Sequence, residues 1–261
     1  MWFGCSLNNI CVRENHNADR IYQKFQDDIT NALSSYLRIT GELSGNKMME
    51  DYFPTIDSDI FICHSHNDEE KAKYFAGWLY EHFQLRAFVD SMVWGSADAL
   101  LKKIDDAYCY NPNNKTYYYN NRNLSTSYVH MMLAASLAKM MEKCTCLFFI
   151  ESEQTIKPSA IKDSKETFSP WIFYELALFH KIHKEDPRVK MNFSKIASAR
   201  RSHRIDEAAM EGLEIALGAE TKDLRNLTES VANDWQESGI EKLPALYKLH
   251  ELLFPEEYPV I

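Results

Sequence analysis

Short apolar runs alternate with longer amphipathic stretches through the middle of the chain. Three runs, at residues 59–63, 86–90 and 144–150, have the length and composition of strands, and the last is almost wholly apolar, as in a strand buried on both faces. Apolar side chains at helical spacing predict four helices around these runs, at residues 69–83, 97–108, 126–143 and 170–184. Strands that alternate with helices predict an α/β fold with a parallel sheet and right-handed crossovers.

The two ends of the chain carry weaker patterns. Residues 1–16 indicate an irregular polar arm, residues 17–38 an amphipathic helix and residues 40–57 a linker. After residue 185 the pattern predicts a fourth strand and three helices, at residues 189–193, 205–216, 224–237 and 244–254. The sequence therefore predicts three parts: an N-terminal arm and amphipathic helix at 1–56, a core domain at 57–195 and a helical C-terminal extension packed on the core at 196–261.

Composition excludes several classes of protein. The chain has 261 residues, of which 45% are hydrophobic, enough for one large domain or one domain with additions. A net charge of −9 argues against a generic binder of nucleic acid or of anionic membranes. No apolar stretch approaches the roughly 18 residues of a membrane-spanning helix, and the N-terminus lacks the pattern of a signal peptide. The six cysteines have no zinc-binding spacing, so we expect reduced thiols and a cytoplasmic protein.

A segment at residues 169–179 combines a helix start with a carboxylate in apolar surroundings. Ser169 is a favourable N-cap, and Pro170 suits the first turn, where no amide donor is needed. Trp171 and Glu175 are four residues apart and therefore lie on one face of the helix. Burial of an unpaired carboxylate is costly. Glu175 is therefore either paired with a base, such as Lys181 or Arg122, or used in a cleft, where perturbed carboxylates cluster.

Three motifs in this order resemble the Toll/interleukin-1 receptor (TIR) domain, in particular the bacterial stand-alone type similar to Thoeris-like anti-phage TIR enzymes. They are DIFICHSHND at 59–68, FVDS at 88–91 and SPWxxxEL at 169–176. The resemblance covers about residues 57–185 and implies a flavodoxin-like parallel sheet flanked by helices. Residues 93–122 are longer than the corresponding part of a minimal TIR domain, and the fourth and fifth strands of a TIR sheet are not evident.

The resemblance implies an enzyme that breaks the nicotinamide–ribose bond of NAD+, with Glu175 as its catalytic residue. Nicotinamide leaves NAD+ as a neutral base, so the site needs no acid, and a carboxylate can stabilise an oxocarbenium-like ribose. The acceptor then decides between ADP-ribose, a cyclic product and a conjugate. NAD+ is a substrate here, and no cofactor or metal is expected. The family further implies a role in anti-phage immunity, self-association through the TIR domain and a separate effector that senses the product.

Six other residues are candidates for binding the substrate, and five of them also have a purely structural explanation. His64 and Ser65 follow the first predicted strand, and ligands bind outside the carboxyl ends of parallel strands. The resemblance adds residues near the loop called BB and the wall of the ribose or nicotinamide pocket, namely Asp90, Trp94, Asp98 and Trp171. The structural alternatives are helix capping for Ser65, turn and cap chemistry for the two aspartates, and core packing for the two tryptophans.

Two other functions remain open from the sequence. The first is a non-enzymatic TIR scaffold or signalling adaptor that assembles with other TIR domains, which would not need an acidic residue at position 175. The second is a nucleoside-processing transferase of similar architecture, which also uses one glutamate. The chain has no G-x-G-x-x-G fingerprint, so an NAD+ site would not be of the Rossmann fingerprint type. His64 and His66 have no third ligand at matching spacing, which argues against a metal site.

Overall fold

A parallel five-stranded sheet forms the centre of the fold. The computed structural model describes residues 1–8, 33–39, 41–94, 97–159, 164–182 and 215–258. These residues contain ten strands: β1 Phe3–Leu7, β2 Ile60–Cys63, β3 Ala87–Phe88, β4 Tyr110–Asn111, β5 Thr116–Tyr117, β6 Cys146–Ile150, β7 Lys157–Pro158, β8 Lys165–Thr167, β9 Leu217–Gly218 and β10 Leu224–Asn226. The central sheet has the order β10-β1-β6-β2-β3, and all its pairs are parallel.

Eight α-helices lie in the described part of the chain. They are α1 Gly45–Tyr52, α2 Glu69–Phe83, α3 Asp90–Val93, α4 Ala97–Tyr108, α5 Tyr119–Lys143, α6 Pro170–Lys181, α7 Glu229–Glu237 and α8 Leu243–Leu253. The predicted helices at 69–83 and 97–108 are confirmed with the same bounds, α5 begins seven residues before its predicted start, and α6 ends three residues early. The predicted α/β class, with a parallel sheet flanked by helices, is confirmed.

The strand order is compatible with a flavodoxin-like sheet, in which strands follow the order 2-1-3-4-5. The strands β3, β2 and β6 occupy the first three places of that order. The fourth place is filled by β1, from the N-terminus, and the fifth by β10, from the C-terminal part. Two of the five strands thus come from the segments predicted to be an N-terminal arm and a C-terminal extension.

The prediction of an irregular polar arm at residues 1–16 is wrong for Phe3–Leu7. This strand is buried along its length and pairs with β6 from Phe3↔Cys146 to Leu7↔Ile150. Gly4 explains how it fits, because a Cβ at this position would lie 2.5 Å from Leu224 Cδ2. The glycine allows the Leu224 side chain to approach the backbone of β1 closely. It also interrupts the run of apolar residues by which the strand could be recognised in the sequence.

Two further predictions are corrected. The predicted linker at 40–57 contains α1, whose N-cap Ser44 accepts a hydrogen bond from the backbone of Lys47. The predicted helix at 224–237 is divided into the edge strand β10 and the helix α7, which Thr228 caps. The predicted helix at 244–254 is confirmed within one residue as α8. Of the helix predicted at 17–38, residues 17–32 fall outside the described residues, and Leu33–Tyr36 form a 3-10 helix rather than an α-helix. Residues 9–16 of the predicted arm, the strand predicted at 189–193 and residues 205–214 of the helix predicted at 205–216 also fall outside them, and residues 215–216 are not helical.

One core holds the sheet and the C-terminal helices together. Trp235 of α7 is fully buried, its ring stacks on Phe83 of α2 with 3.8 Å between centroids, and its indole N–H donates to the Ala245 carbonyl at 2.8 Å. A second, smaller apolar cluster lies between α1, α4 and α5. Within the described residues, no helix has the length and apolar character needed to cross a bilayer.

Candidate active site

The helix α6 carries Glu175 into the core. Ser169 caps the helix, since its hydroxyl accepts a hydrogen bond from the Ile172 amide at 3.3 Å, and Pro170 occupies the first turn as predicted. Glu175 is only 6% exposed and lies on the buried face that also includes Leu176 and Phe179. The predicted apolar surroundings of this carboxyl group are therefore present in the structure.

The neighbour of Glu175 is a thiol rather than a cation. Cys63, the last residue of β2, lies beside the Glu175 carboxyl and is itself fully buried. Burial, and then the negative charge of Asp90, raise the pKa of Glu175 to about 8, and the nearby Cys63 thiol opposes this rise. Burial and the neighbouring Glu175 likewise raise the pKa of the Cys63 thiol well above its ordinary range. At neutral pH the unliganded site therefore holds a protonated carboxyl beside a protonated thiol.

The ion pairs of Glu175 with Arg122 or Lys181 that the sequence suggested do not form. Arg122 instead pairs with Asp105, with 3.0 Å between Nε and Oδ2. Lys181 is exposed at the last position of α6. A raised carboxyl pKa beside a second carboxylate is what a buried acid without a cationic partner should show.

Asp90 and His64 lie beside each other at the carboxyl ends of neighbouring strands, and Asp90 is near enough to Glu175 to raise its pKa. His64 follows β2, and Asp90 follows β3 and begins α3. The distance from His64 Nε2 to Asp90 Oδ1 is 3.6 Å, and the His64 side chain is 5% exposed whereas that of Asp90 is 46% exposed. Asp90 Oδ1 also accepts a hydrogen bond from the Ser91 amide at 2.8 Å. Asp90 is thus the solvent-facing carboxylate of the pair, and Glu175 is the buried one.

Ser65 belongs to a hydrogen-bonded loop that the sequence did not reveal. Its hydroxyl donates to Asp68 Oδ2 at 2.6 Å, and the Ser152 hydroxyl, from the loop after β6, donates to the same oxygen at 2.5 Å. Lys71 Nζ donates to Asp68 Oδ1 at 2.6 Å. Although burial alone would raise the pKa of Asp68, these bonds lower it below the ordinary value. Asp68 thus ties together the loops that follow β2 and β6, two adjacent strands of the sheet.

The importance of Asp68 has only a faint sequence signal. It is the last residue of the motif at 59–68, but nothing local distinguishes it from the exposed acids that follow it. Its partner Ser152 is 84 residues further along the chain. The helix-capping explanation for Ser65 is wrong, because its hydroxyl donates to the Asp68 side chain and caps no backbone amide at the start of α2.

Trp171 lies between α6 and α5. Its ring makes an edge-to-face contact with His130 of α5, with 5.6 Å between centroids. Three residues further along α6, the Tyr174 hydroxyl donates to the Ala134 carbonyl of α5 at 3.1 Å, which fixes the two helices against each other. Trp171 is partly buried and packs against the main core. It is placed one helical turn before Glu175, as predicted, and its role in substrate binding stays a prediction.

Trp94 and Asp98 are not part of the cluster around Glu175. The Trp94 indole N–H donates to the Pro54 carbonyl at 2.9 Å, and its ring contacts Phe88 at 4.9 Å and Phe53 at 5.5 Å between centroids. These contacts correspond to the packing explanation for Trp94. Asp98 is exposed in the first turn of α4, and the turn and cap explanation for it stays a prediction.

The described residues hold no group of three or more histidine, cysteine or acidic side chains placed to bind a metal ion. Comparison of the chain with protein-family models, curated proteins and solved structures found no match. Any functional conclusion therefore rests on two things: the geometry around Cys63, Asp90 and Glu175, with His64 beside Asp90, and the three sequence motifs.

Proposed function

We propose that this chain is a TIR-type enzyme that cleaves the nicotinamide–ribose bond of NAD+. One observation carries the proposal: Glu175 is a buried carboxyl with a raised pKa, and the carboxylate of Asp90 lies close enough to raise it further. The pair is located where the parallel strands β2 and β3 end, the edge at which open α/β sheets bind ligands. Perturbed carboxylates of this kind are candidates for catalytic groups.

The charge of the site fits a cationic substrate. Two neighbouring carboxyl groups, one of them in a medium of low dielectric constant, repel each other when both are ionised. The nicotinamide ring of NAD+ carries a positive charge, which compensates this repulsion. Binding of NAD+ therefore favours loss of the Glu175 proton, and the buried carboxylate forms where it is needed.

The reaction then needs only electrostatic help from the protein. As the C–N bond breaks, its electron pair goes to the nicotinamide nitrogen, and positive charge develops on the ribose. The Glu175 carboxylate stabilises this charge and can accept hydrogen bonds from ribose hydroxyls. An acceptor then forms a bond to the anomeric carbon and, if it is water, releases a proton and gives ADP-ribose. With Asp68 holding the loops after β2 and β6, this edge of the sheet is ordered before substrate arrives.

The proposed setting is anti-phage immunity in the bacterial cytoplasm. The product would act as a signal for a separate effector, and self-association of TIR domains would assemble the active form. These points rest on the resemblance of the three sequence motifs to bacterial TIR enzymes.

A product assay tests the proposal. Purified protein at high concentration, with and without a crowding agent, is incubated with NAD+, and nicotinamide and adenine-containing products are followed by chromatography with mass detection. We expect turnover by the parent and a loss of about 100-fold or more in Glu175→Gln, because a transition-state charge loses its partner. Glu237→Gln, which alters an exposed carboxylate on α7, is the matched control and should retain full activity.

The outcomes separate the alternatives. Full turnover by a folded Glu175→Gln variant would refute a catalytic role for this residue. No release of nicotinamide by the parent under any condition would favour the scaffold. Cleavage of nucleosides without cleavage of NAD+ would indicate the transferase instead.

A further inference from the structure

A groove between α1, α4 and α5 has the properties of a second binding site. It lies between the start of α1, the end of α4 and the first half of α5, and its volume is about 640 Å³. Small-molecule sites commonly have volumes of about 300–1,000 Å³ and lie between elements such as helices. None of its lining residues belongs to the cluster around Glu175, so the groove is separate from the proposed NAD+ site.

The floor and walls of the groove are apolar and aromatic. Met48, Ile104 and Met132 form a buried floor within the smaller apolar cluster. Tyr108 and Tyr128 line the groove and are 51% and 62% exposed, so large parts of both rings face solvent. Tyrosine rings offer stacking and edge-to-face contacts to an aromatic ligand, in addition to the free energy gained by burying apolar surface.

The charge of the lining selects among ligands. Of the described residues that line the groove, none is lysine or arginine, and the one formally charged side chain is Glu42. Among the described lining residues a phosphate or carboxylate therefore finds no cation, and any charged ligand would lose hydration against an apolar floor. This charge complementarity favours an uncharged ligand and disfavours a dinucleotide.

Polar contacts hold the groove open without a ligand. The buried Asp105 of α4 accepts a hydrogen bond from the Ser125 hydroxyl of α5 at 2.5 Å. From α5, the Asn121 amide donates to the Tyr108 carbonyl at 3.2 Å. Lys103 of α4 donates to the Tyr52 hydroxyl of α1 at 2.9 Å. Because α4 is fastened to both α5 and α1, the three helices keep their spacing, and the groove is preformed.

We propose that this groove binds an uncharged aromatic small molecule. The size, the aromatic walls, the absence of cations from the described lining and the fixed helices all point to this class of ligand. A ligand bound in the groove would also cover the solvent-exposed faces of Tyr108 and Tyr128.

Two dyes of matched shape test the proposal on the full chain. N-phenyl-1-naphthylamine is an uncharged aromatic dye that fluoresces in apolar sites, and 8-anilinonaphthalene-1-sulfonate adds one negative charge to the same skeleton. We expect saturable binding of the uncharged dye at one site per chain, and binding of the sulfonate that is at least about tenfold weaker, since the lining offers it no cation.

Variants of the groove identify where the dye binds. Tyr128→Ala removes a wall and should weaken binding by about tenfold. Met131→Ala, on the same helix and 54% exposed but outside the lining, is the matched control and should change binding by less than about twofold. Gly45→Leu should abolish binding without removing a wall, because a Cβ there meets no atom closer than Met132 Sδ at 3.7 Å and the larger side chain would extend into the groove.

Three results would overturn the proposal. They are equal affinity for both dyes, absence of saturable binding of the uncharged dye, and equal weakening by Tyr128→Ala and Met131→Ala. A dimer in light scattering that both alanine variants disrupt would also overturn it, since this face would then be an interface between copies of the chain. None of these results depends on whether the protein cleaves NAD+.

Discussion

Replacement of Glu175 by glutamine should stabilise the protein increasingly as the pH rises. In the folded chain the pKa of this carboxyl is raised from 4.5 to about 8, first by burial and then by the charge of Asp90. Between these two values the folded state holds a proton that the unfolded state has released. Unfolding therefore releases a proton, and the free energy of unfolding falls as the pH increases.

The size of this effect follows from the two pKa values. Each pH unit in the window changes the free energy of unfolding by about 1.4 kcal/mol. The stabilisation that the protonated Glu175 carboxyl gives the folded state is complete below about pH 4.5. It declines between pH 4.5 and 8 and is lost above about pH 8. From about pH 5 to about pH 8 the parent should lose about 3–4 kcal/mol through this one group. Glutamine does not titrate, so a Glu175→Gln variant lacks the decline.

Urea denaturation of parent and variant at several pH values between 5 and 8 measures the difference. Groups that do not interact with Glu175 contribute equally to both proteins and cancel. Glu237→Gln, at an exposed position of α7, is the matched control for the same substitution at the surface. If Glu175→Gln differs from the parent by a constant amount at all these pH values, the carboxyl is not protonated in the folded state, and the charge argument for the NAD+ site fails.

Three other predictions concern the site and the sheet. The kcat/KM for NAD+ should increase with pH and level off above about pH 8. Asp90→Asn should move the midpoint of this pH–rate profile to lower pH, because a charge that repels the Glu175 carboxylate is removed. An unchanged midpoint would contradict this. Asp68→Asn should lower the free energy of unfolding by about 1–3 kcal/mol in urea titrations, because a buried acceptor of three hydrogen bonds is altered. Gly4→Ala should cost about 1–3 kcal/mol in the same assay, since its Cβ would lie 2.5 Å from Leu224 Cδ2, and a neutral result would mean that the strands move apart easily.

The elements that could be predicted from sequence are those whose pattern is local. The helix Glu69–Phe83 was found because its apolar positions repeat along one face, and Cys146–Ile150 because its apolar run matches a strand buried on both faces. The burial of Glu175 was predicted for the same reason. Phe3–Leu7 was missed because a glycine and a serine interrupt a run of only five residues, whose structure depends on pairing with distant strands.

The contacts within the site could not be predicted in the same way. Cys63 and Glu175 come from a strand and a helix far apart in the chain, and they become neighbours only once the sheet and α6 have packed. The resemblance to TIR motifs named Glu175 but not its thiol partner. Trp94 follows the motif at 88–91, yet its indole N–H donates to the Pro54 carbonyl and its ring packs on Phe88, which residue type alone does not reveal.

The position of β1 has a consequence for how the chain folds. This strand is synthesised well before its neighbours in the sheet, β6 and β10, which come much later in the sequence. Pairings of such long range are slow to form because the intervening chain must close a large loop. Until Phe3–Leu7 docks, the apolar strand Cys146–Ile150 has one unpaired edge, which can pair with another chain. Capture of the N-terminal strand is therefore the step at which productive folding competes with aggregation.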